Sequence, residues 1–256
     1  MVTAFTRTVS PAIQNCQLTF MERQPIDFEK AFQQHCQYEE KLRSLGVRII
    51  SLPPAPQLPD AVFVEDMAVV VNELAVIAVP ARETRRSEVS VPAQALEAYR
   101  SLRFLNDSAT LEGGDIIKDH QRVFVGHSTR TNMQGICQLQ KILEPIGYST
   151  QPVTVSGCLH LSTGASCIGR NTILANPDWV DTGAFAGYEV IHVSADEPWA
   201  GNVLLIHDVV LMPDSFPRTR RLLESRGFPV EVVEISEFQK AEAGITCLSL
   251  RFEVKP

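Results

Sequence analysis

A cysteine and a histidine, each set in an apolar run, are the residues here whose side chains can attack an electrophile and move protons. Cys247 lies in Gly244-Ile245-Thr246-Cys247-Leu248-Ser249-Leu250, and His160 in Gly157-Cys158-Leu159-His160-Leu161-Ser162-Thr163-Gly164. Taken singly, each has a plain structural reading, a small core hydrophobe for the cysteine and a satisfied core histidine. One Cys and one His on separate elements, with acids elsewhere, form the constellation of a cysteine nucleophile. Those acids stand in two places. In Leu58-Pro59-Asp60-Ala61-Val62-Phe63-Val64-Glu65-Asp66-Met67-Ala68-Val69, two adjacent carboxylates interrupt an apolar run and Asp60 stands just before it. On a strand Glu65 and Asp66 face opposite sides, so at least one points inward. Carboxylates are rarely buried unpartnered, which leaves an internal salt bridge or a pocket for a cationic ligand. Glu112-Gly113-Gly114-Asp115 adds a carboxylate beside two glycines, on its own only a turn signal.

The elements that must position these residues recur along the chain. Val69–Val71, polar Asn72-Glu73 and Ala75–Val79 read as strand, turn, strand, followed by Arg85-Arg86 and a helical stretch to about Tyr99. Ile116-Ile117, Lys118–Gln121 and Val123–Val125 repeat that order, followed by Thr129-Arg130-Thr131 and an amphipathic helix through Leu143. Val203–Ile206, His207-Asp208 and Val209–Met212 repeat it again, leading to a helix that stops at Gly227. Cys167-Ile168, Gly169–Asn171 and Ile173–Ala175 make a weaker copy. A fifth unit must join both ends: Thr246–Phe252 as a strand, Ala4–Val9 as another, and a helix Phe28–Leu45 with Phe28, Ala31, Phe32, Leu42 and Leu45 on its apolar face. A spacing of roughly 35–50 residues suits a propeller-like array. An ordinary α/β domain with a recurring strand–turn–strand–helix pattern stays open on pattern alone.

With 256 residues, 45% hydrophobic and 21% charged, the chain has the composition of an ordinary globular protein. Its net charge of −7 argues against nucleic acid as a partner, because no basic stripe exists to neutralise phosphates. The apolar runs are strand-length and no signal peptide is visible, so neither a membrane span nor export is expected and a cytoplasmic location is. Cys16, Cys36, Cys137, Cys158, Cys167 and Cys247 show no CxxC spacing and are expected as reduced thiols. Nothing in the sequence fixes an oligomeric state, and a homo-oligomer stays open.

Six stretches together resemble the dimethylarginine dimethylaminohydrolase (dimethylargininase) family of the guanidino-modifying superfamily. They are Leu-Pro-Asp-Ala-Val-Phe-Val-Glu-Asp at 58–66, Arg85-Arg86, Leu-Glu-Gly-Gly-Asp at 111–115, Ser128-Thr129-Arg130-Thr131-Asn132, Leu-His-Leu at 159–161 and Thr-Cys-Leu-Ser-Leu-Arg-Phe at 246–252. The resemblance runs from about residue 4 to residue 252. It implies one hydrolase domain over 1–256, folded as a five-bladed pseudo-symmetric α/β propeller (pentein) whose ring is closed by the two terminal segments. It also implies Cys247 as nucleophile, His160 as general acid/base, and Glu112 as the carboxylate that binds His160 and the guanidinium. Asp66 would grip the guanidinium nitrogens, with Glu65 and Asp60 lining the same pocket. Arg85 and Arg130 would clamp the substrate α-carboxylate. The backbone carbonyls of Leu18 and Ile245 would hold the α-amino end, and residues 14–24 would form a mobile flap.

The reaction so implied is hydrolysis of an N-methylated arginine to citrulline and a methylamine through a covalent thiouronium on Cys247, with no metal and no organic cofactor. Arginine deiminases place an aspartate two residues after the catalytic histidine; here that position is Ser162. Dimethylargininases also lack the acid there, which leaves room for methyl groups, although their usual residue is lysine. The alternatives are an arginine deiminase-like hydrolase or amidinotransferase, a non-catalytic arginine-binding protein, and a metal site on Cys247 and His160, which offers too few ligands for a closed structural zinc.

Overall fold

The computed structural model of the chain describes residues 1–106 and 108–254. In chain order its elements begin with β1 (Val2–Arg7), α1 (Phe28–Ser44) and β2 (Arg48–Leu52). Next come β3 (Ala68–Val70), β4 (Leu74–Ile77), α2 (Ser90–Glu97) and β5 (Ser101–Phe104), then β6 (Ile116–Asp119), β7 (Arg122–His127), α3 (Met133–Leu143) and β8 (Ser149–Thr154). The short α4 (Leu161–Gly164) leads into β9 (Ala165–Cys167), β10 (Thr172–Ala175) and β11 (Glu189–His192). The last group is β12 (Leu204–Ile206), β13 (Val209–Pro213), α5 (Pro217–Ser225), β14 (Val230–Val233), α6 (Ser236–Gln239) and β15 (Leu250–Glu253).

These strands make five three-stranded sheets, β3-β4-β5, β6-β7-β8, β9-β10-β11, β12-β13-β14 and β15-β1-β2. In every sheet the first pair is antiparallel and the third strand runs parallel to the middle one. A parallel third strand needs a crossover, and a helix supplies it in four of the five units. The fold is thus the five-bladed α/β propeller, and the fifth sheet is the one assembled from both ends, with Phe5 opposite Leu250. The weaker copy is explained by its crossover, which uses one 3₁₀ turn (Thr182–Phe185) in place of an α-helix.

Local sequence accounts for the helix ends. Asp27 caps α1 by accepting from the Lys30 amide at 3.1 Å, and Gly46 follows it at φ +83°. Asn132 caps α3 by accepting from the Gly135 amide at 2.8 Å. The buried face of α1 is Ala31, Gln34, His35, Tyr38 and Leu42. Phe32, expected on that face, points outward, because the 31–34/35–38–42 stripe is the one that meets the core.

The first strand of each unit (β3, β6, β9, β12 and β15) lines an axial cavity of about 480 Å³ that reaches His120 at the surface. Among the described residues no helix is long and apolar enough to cross a membrane.

Candidate active site

One short helical turn precedes each of the five inner strands: Val64–Met67, Gly113–Asp115, Leu161–Gly164, Pro198–Gly201 and Thr246–Leu248. Four of these turns carry or adjoin the residues singled out above. The expectation that Glu65-Asp66, His160 and Cys247 sit on strands is therefore corrected, since each lies in or next to a tight turn. The difference has a consequence. Consecutive residues on a 3₁₀ turn are rotated by about a third of a revolution, so Asp66 and Glu65 enter different cavities. Close approach of the turns depends on glycine: a Cβ on Gly114 would lie 2.7 Å from His160 Nδ1 and 2.8 Å from Asp66 Oδ1.

At this mouth of the ring a small cavity of about 20 Å³ is lined by Gln17, Asp60, Asp66, Arg85, Arg130, His160, Glu242 and Cys247, among others. His160 Nε2 meets Glu112 Oε2 at 2.8 Å and stands 3.8 Å from Asp66 Oδ1. Burial disfavours the charged imidazole, yet the carboxylates of Asp66, Glu112 and Asp115 outweigh it and raise His160 to about 9. Burial likewise opposes ionisation of Glu112, but the hydrogen bond from His160 and the charges of His160, Arg85 and Arg130 hold it well below the usual carboxylate range. Burial first, then the charges of Glu65 and Asp66, push the Cys247 thiol up, and the Gly244 backbone only partly opposes them.

Several expected placements change. Glu112 is fully buried behind His160, and its Oε1 accepts from the Ala81 amide at 3.0 Å, so it orients the imidazole and does not line the cavity. Glu65 faces the axial cavity together with Ser162 and Thr246, not the pocket of Asp60 and Asp66. Ile245, expected to offer its backbone carbonyl, packs its side chain in the core, and the neighbouring Ala241–Ala243 border the pocket. Leu18 packs on that same core cluster, and Gln17 is the neighbour that reaches the pocket. Arg85 does line it, but its guanidinium is largely engaged, by Asp66 at 2.6 Å and by Glu88 at 3.0 and 3.1 Å. Arg130 keeps Nη1 without a hydrogen-bond acceptor, 3.5 Å from Glu112 Oε1, and is the arginine with donors to spare for a carboxylate.

The segment 14–24 is tied down. Glu242 accepts from the Thr19 amide at 2.9 Å and also from the Phe20 and Met21 amides, and Arg130 donates to Thr19 Oγ1 at 3.3 Å. Glu242 itself sits at φ +57°, uncommon for a residue with a Cβ. A cavity of this size holds about one water, so it must widen to take an arginine derivative. Hydrogen bonds to a charged group contribute about 1.5–3 kcal/mol each, so Glu242→Ala should speed amide exchange at Thr19, Phe20 and Met21 by about tenfold or more. Hydrogen–deuterium exchange read by mass spectrometry checks this; unchanged exchange would remove Glu242 as the tie.

Sequence reasoning did not assign Glu88, Asp115, Asn202 or Glu242. Asp115 accepts from the Leu161 amide at 2.9 Å and from Ser128 Oγ at 2.6 Å, which joins the His160 turn to the Arg130 loop. It was visible inside Glu-Gly-Gly-Asp, whereas the other three carried no local signal. Asp66, Glu112 and His160 offer ligand atoms within 4.8 Å of one another. A dication there would compete with Arg85 for Asp66 and with Arg130 for Glu112.

Three comparisons show what the chain is similar to. A family described as N,N dimethylarginine dimethylhydrolase, eukaryotic, matches residues 4–208. The N(G),N(G)-dimethylarginine dimethylaminohydrolase of Pseudomonas aeruginosa is 34% identical over 228 residues, 88% of this chain and 90% of that protein. The Streptomyces coelicolor protein of the same name is 33% identical over 249 residues, 97% of this chain and 96% of the other. Among solved structures, a Cys-to-Ser mutant of the P. aeruginosa protein complexed with citrulline superposes with a TM-score of 0.92 at 31% identity, covering 98% of both chains.

Proposed function

This chain belongs to the dimethylarginine dimethylaminohydrolase family, and from that membership we propose that it hydrolyses N-methylated L-arginine to L-citrulline and a methylamine, with Cys247 as nucleophile. The observation that carries the reading is the common pocket of Cys247, His160, Asp66 and Arg130. The citrulline complex of the P. aeruginosa mutant supports a small-molecule ligand of this class. Amidino transfer is not favoured.

The chemistry follows from the charges. Asp66 faces the substrate guanidinium and offsets its desolvation. Arg130 takes the α-carboxylate, and Asp60, whose Oδ1 also holds the Gln17 amide at 3.0 Å, faces the α-amino group. Burial and the carboxylates keep Cys247 protonated; the bound cation offsets the carboxylates, so the thiol releases its proton to solvent as substrate binds. The thiolate attacks the guanidinium carbon, and His160 passes its proton to the departing amine, leaving a thiouronium. Now neutral, His160 takes a proton from water, whose hydroxyl adds to the same carbon. The C–S bond then breaks and citrulline leaves.

Because the proton donor is an imidazolium raised to about 9, it is populated below that pH and lost as pH rises through it. The alkaline loss of kcat/KM, which reports the free enzyme, should therefore centre near 9, not at the ordinary histidine value of about 6.5. Citrulline formation from dimethylarginine, monomethylarginine and arginine, each across pH, tests both the substrate class and the donor. A higher kcat/KM for the methylated forms is expected. Equal hydrolysis of arginine would widen the assignment to a general arginine hydrolase.

A further inference from the structure

Of the five turns at the mouth of the ring, Pro198–Gly201 carries no residue that lines the substrate pocket. Asn202, which follows it directly, is buried and directs both amide hydrogens and its oxygen at two neighbouring turns. Its Nδ2 donates to the Ser162 carbonyl at 2.7 Å and to Thr246 Oγ1 at 2.9 Å, and its Oδ1 accepts from the Thr246 amide at 3.1 Å. These partners fix which way the amide points, since a carbonyl only accepts and a backbone N–H only donates. Ser162 stands two residues after His160, and Thr246 immediately before Cys247. Asn202 thus spans from the turn led by His160 to the turn that holds Cys247. The approach is close: a Cβ on Gly244 would lie 2.1 Å from Asn202 Oδ1.

Little else joins those two turns. Among the described residues no backbone hydrogen bond runs between 157–164 and 244–249. The direct side-chain contact, Thr246 Oγ1 to Ser162 Oγ, is 3.4 Å, and a route through Glu65 is 2.6 Å from Thr246 but 3.5 Å from Ser162. Both routes exceed the span of about 2.5–3.0 Å for a good hydroxyl hydrogen bond. The remaining ties of each turn lead elsewhere. On the histidine side, the Leu161 amide donates to Asp115 at 2.9 Å and His160 Nε2 meets Glu112 at 2.8 Å. On the cysteine side, Ile245 and Leu248 are packed in the core and Ser249 Oγ meets Tyr38 Oη at 2.6 Å. We propose, on the reading that Cys247 is the nucleophile and His160 its acid/base, that Asn202 is a positioning residue that sets the spacing of His160 from Cys247. It lines no part of the substrate pocket and acts through the Ser162 carbonyl. Without it the cysteine turn keeps its core anchors, while the histidine turn loses its tie on that side. The step most exposed to that loss is the second, in which His160 must hold water against the carbon already bonded to the Cys247 sulphur.

The two steps separate with an S-methylthiocitrulline-type substrate, whose methanethiolate leaves without a proton. In Asn202→Ala, breakdown of the Cys247 adduct should slow about a hundredfold, the scale of a misplacement of about 1 Å. The adduct should therefore accumulate and be visible by intact-protein mass spectrometry. Over the same variant kcat/KM, which is set by events up to adduct formation, should stay within a few-fold of wild type. A merely structural role would lower the folded fraction and with it kcat/KM, but adduct breakdown is first-order in the adduct and would not move. Asn202→Leu, which fills the same space without the bonds, should behave alike and decides the matter if Asn202→Ala does not fold. Adduct breakdown at the wild-type rate, or adduct formation slowed as much as breakdown, would overturn the role. If wild type makes no citrulline from any methylarginine, the proposed function fails first, and separately.

Discussion

Cys247→Ser should lose turnover by roughly four orders of magnitude or more, the scale seen when a covalent nucleophile is removed, while its melting temperature stays close to wild type. The side chain is 8% exposed and nearly isosteric with serine, so the packing around it survives the change. On the proposed mechanism, what is lost is the soft thiolate, the form of the side chain able to add to a resonance-stabilised guanidinium carbon near neutral pH. Serine replacements at Cys16, Cys36, Cys137, Cys158 and Cys167 should leave citrulline formation within a few-fold of wild type. Cys158 is the informative control, because it donates to the His160 carbonyl at 3.3 Å and serine preserves that bond. More than trace activity in Cys247→Ser would remove the cysteine from the chemistry.

His160→Gly should stop the reaction at a different point. On the proposed mechanism, loss of the imidazole takes the donor from the first step and the water-activating base from the second. Substrates whose leaving group needs no proton isolate the second loss. With an S-methylthiocitrulline-type substrate, whose methanethiolate departs unassisted, the variant should accumulate an adduct on Cys247 that intact-protein mass spectrometry detects within one turnover. Citrulline release should be about 10²–10⁴-fold slower than in wild type, the usual contribution of a positioned acid/base. No adduct together with no activity would confine His160 to the events before attack.

How far the sequence carried these assignments depended on whether a feature was local. The hairpins β3–β4, β6–β7 and β12–β13 were legible because largely buried apolar runs flank polar turns such as Asn72-Glu73 and His207-Asp208. The outer parallel strands were not. Residues Ser101–Phe104 of β5 are mostly exposed, with Phe104 at 68%, so they carry no alternation that marks a strand. Motif residues on one continuous stretch, such as the His160 and Cys247 segments, could be picked out by type and order. Their orientation could not, because it follows from the helical turns before each inner strand. This is why Glu65 was expected beside Asp60 and Asp66 but lines the axial cavity. Glu242 ties down a segment more than two hundred residues away in the chain, and Asn202 braces turns from two other blades. Contacts of that kind arise from ring closure and leave no trace in spacing.

The most direct measurement is a product balance for the wild-type protein with dimethylarginine in ¹⁸O-labelled water. Hydrolysis through a Cys247 thiouronium predicts one dimethylamine for each citrulline, with one labelled oxygen in the citrulline ureido group and none when Cys247→Ser replaces the wild type. Absence of citrulline, or citrulline formed without dimethylamine, would contradict it.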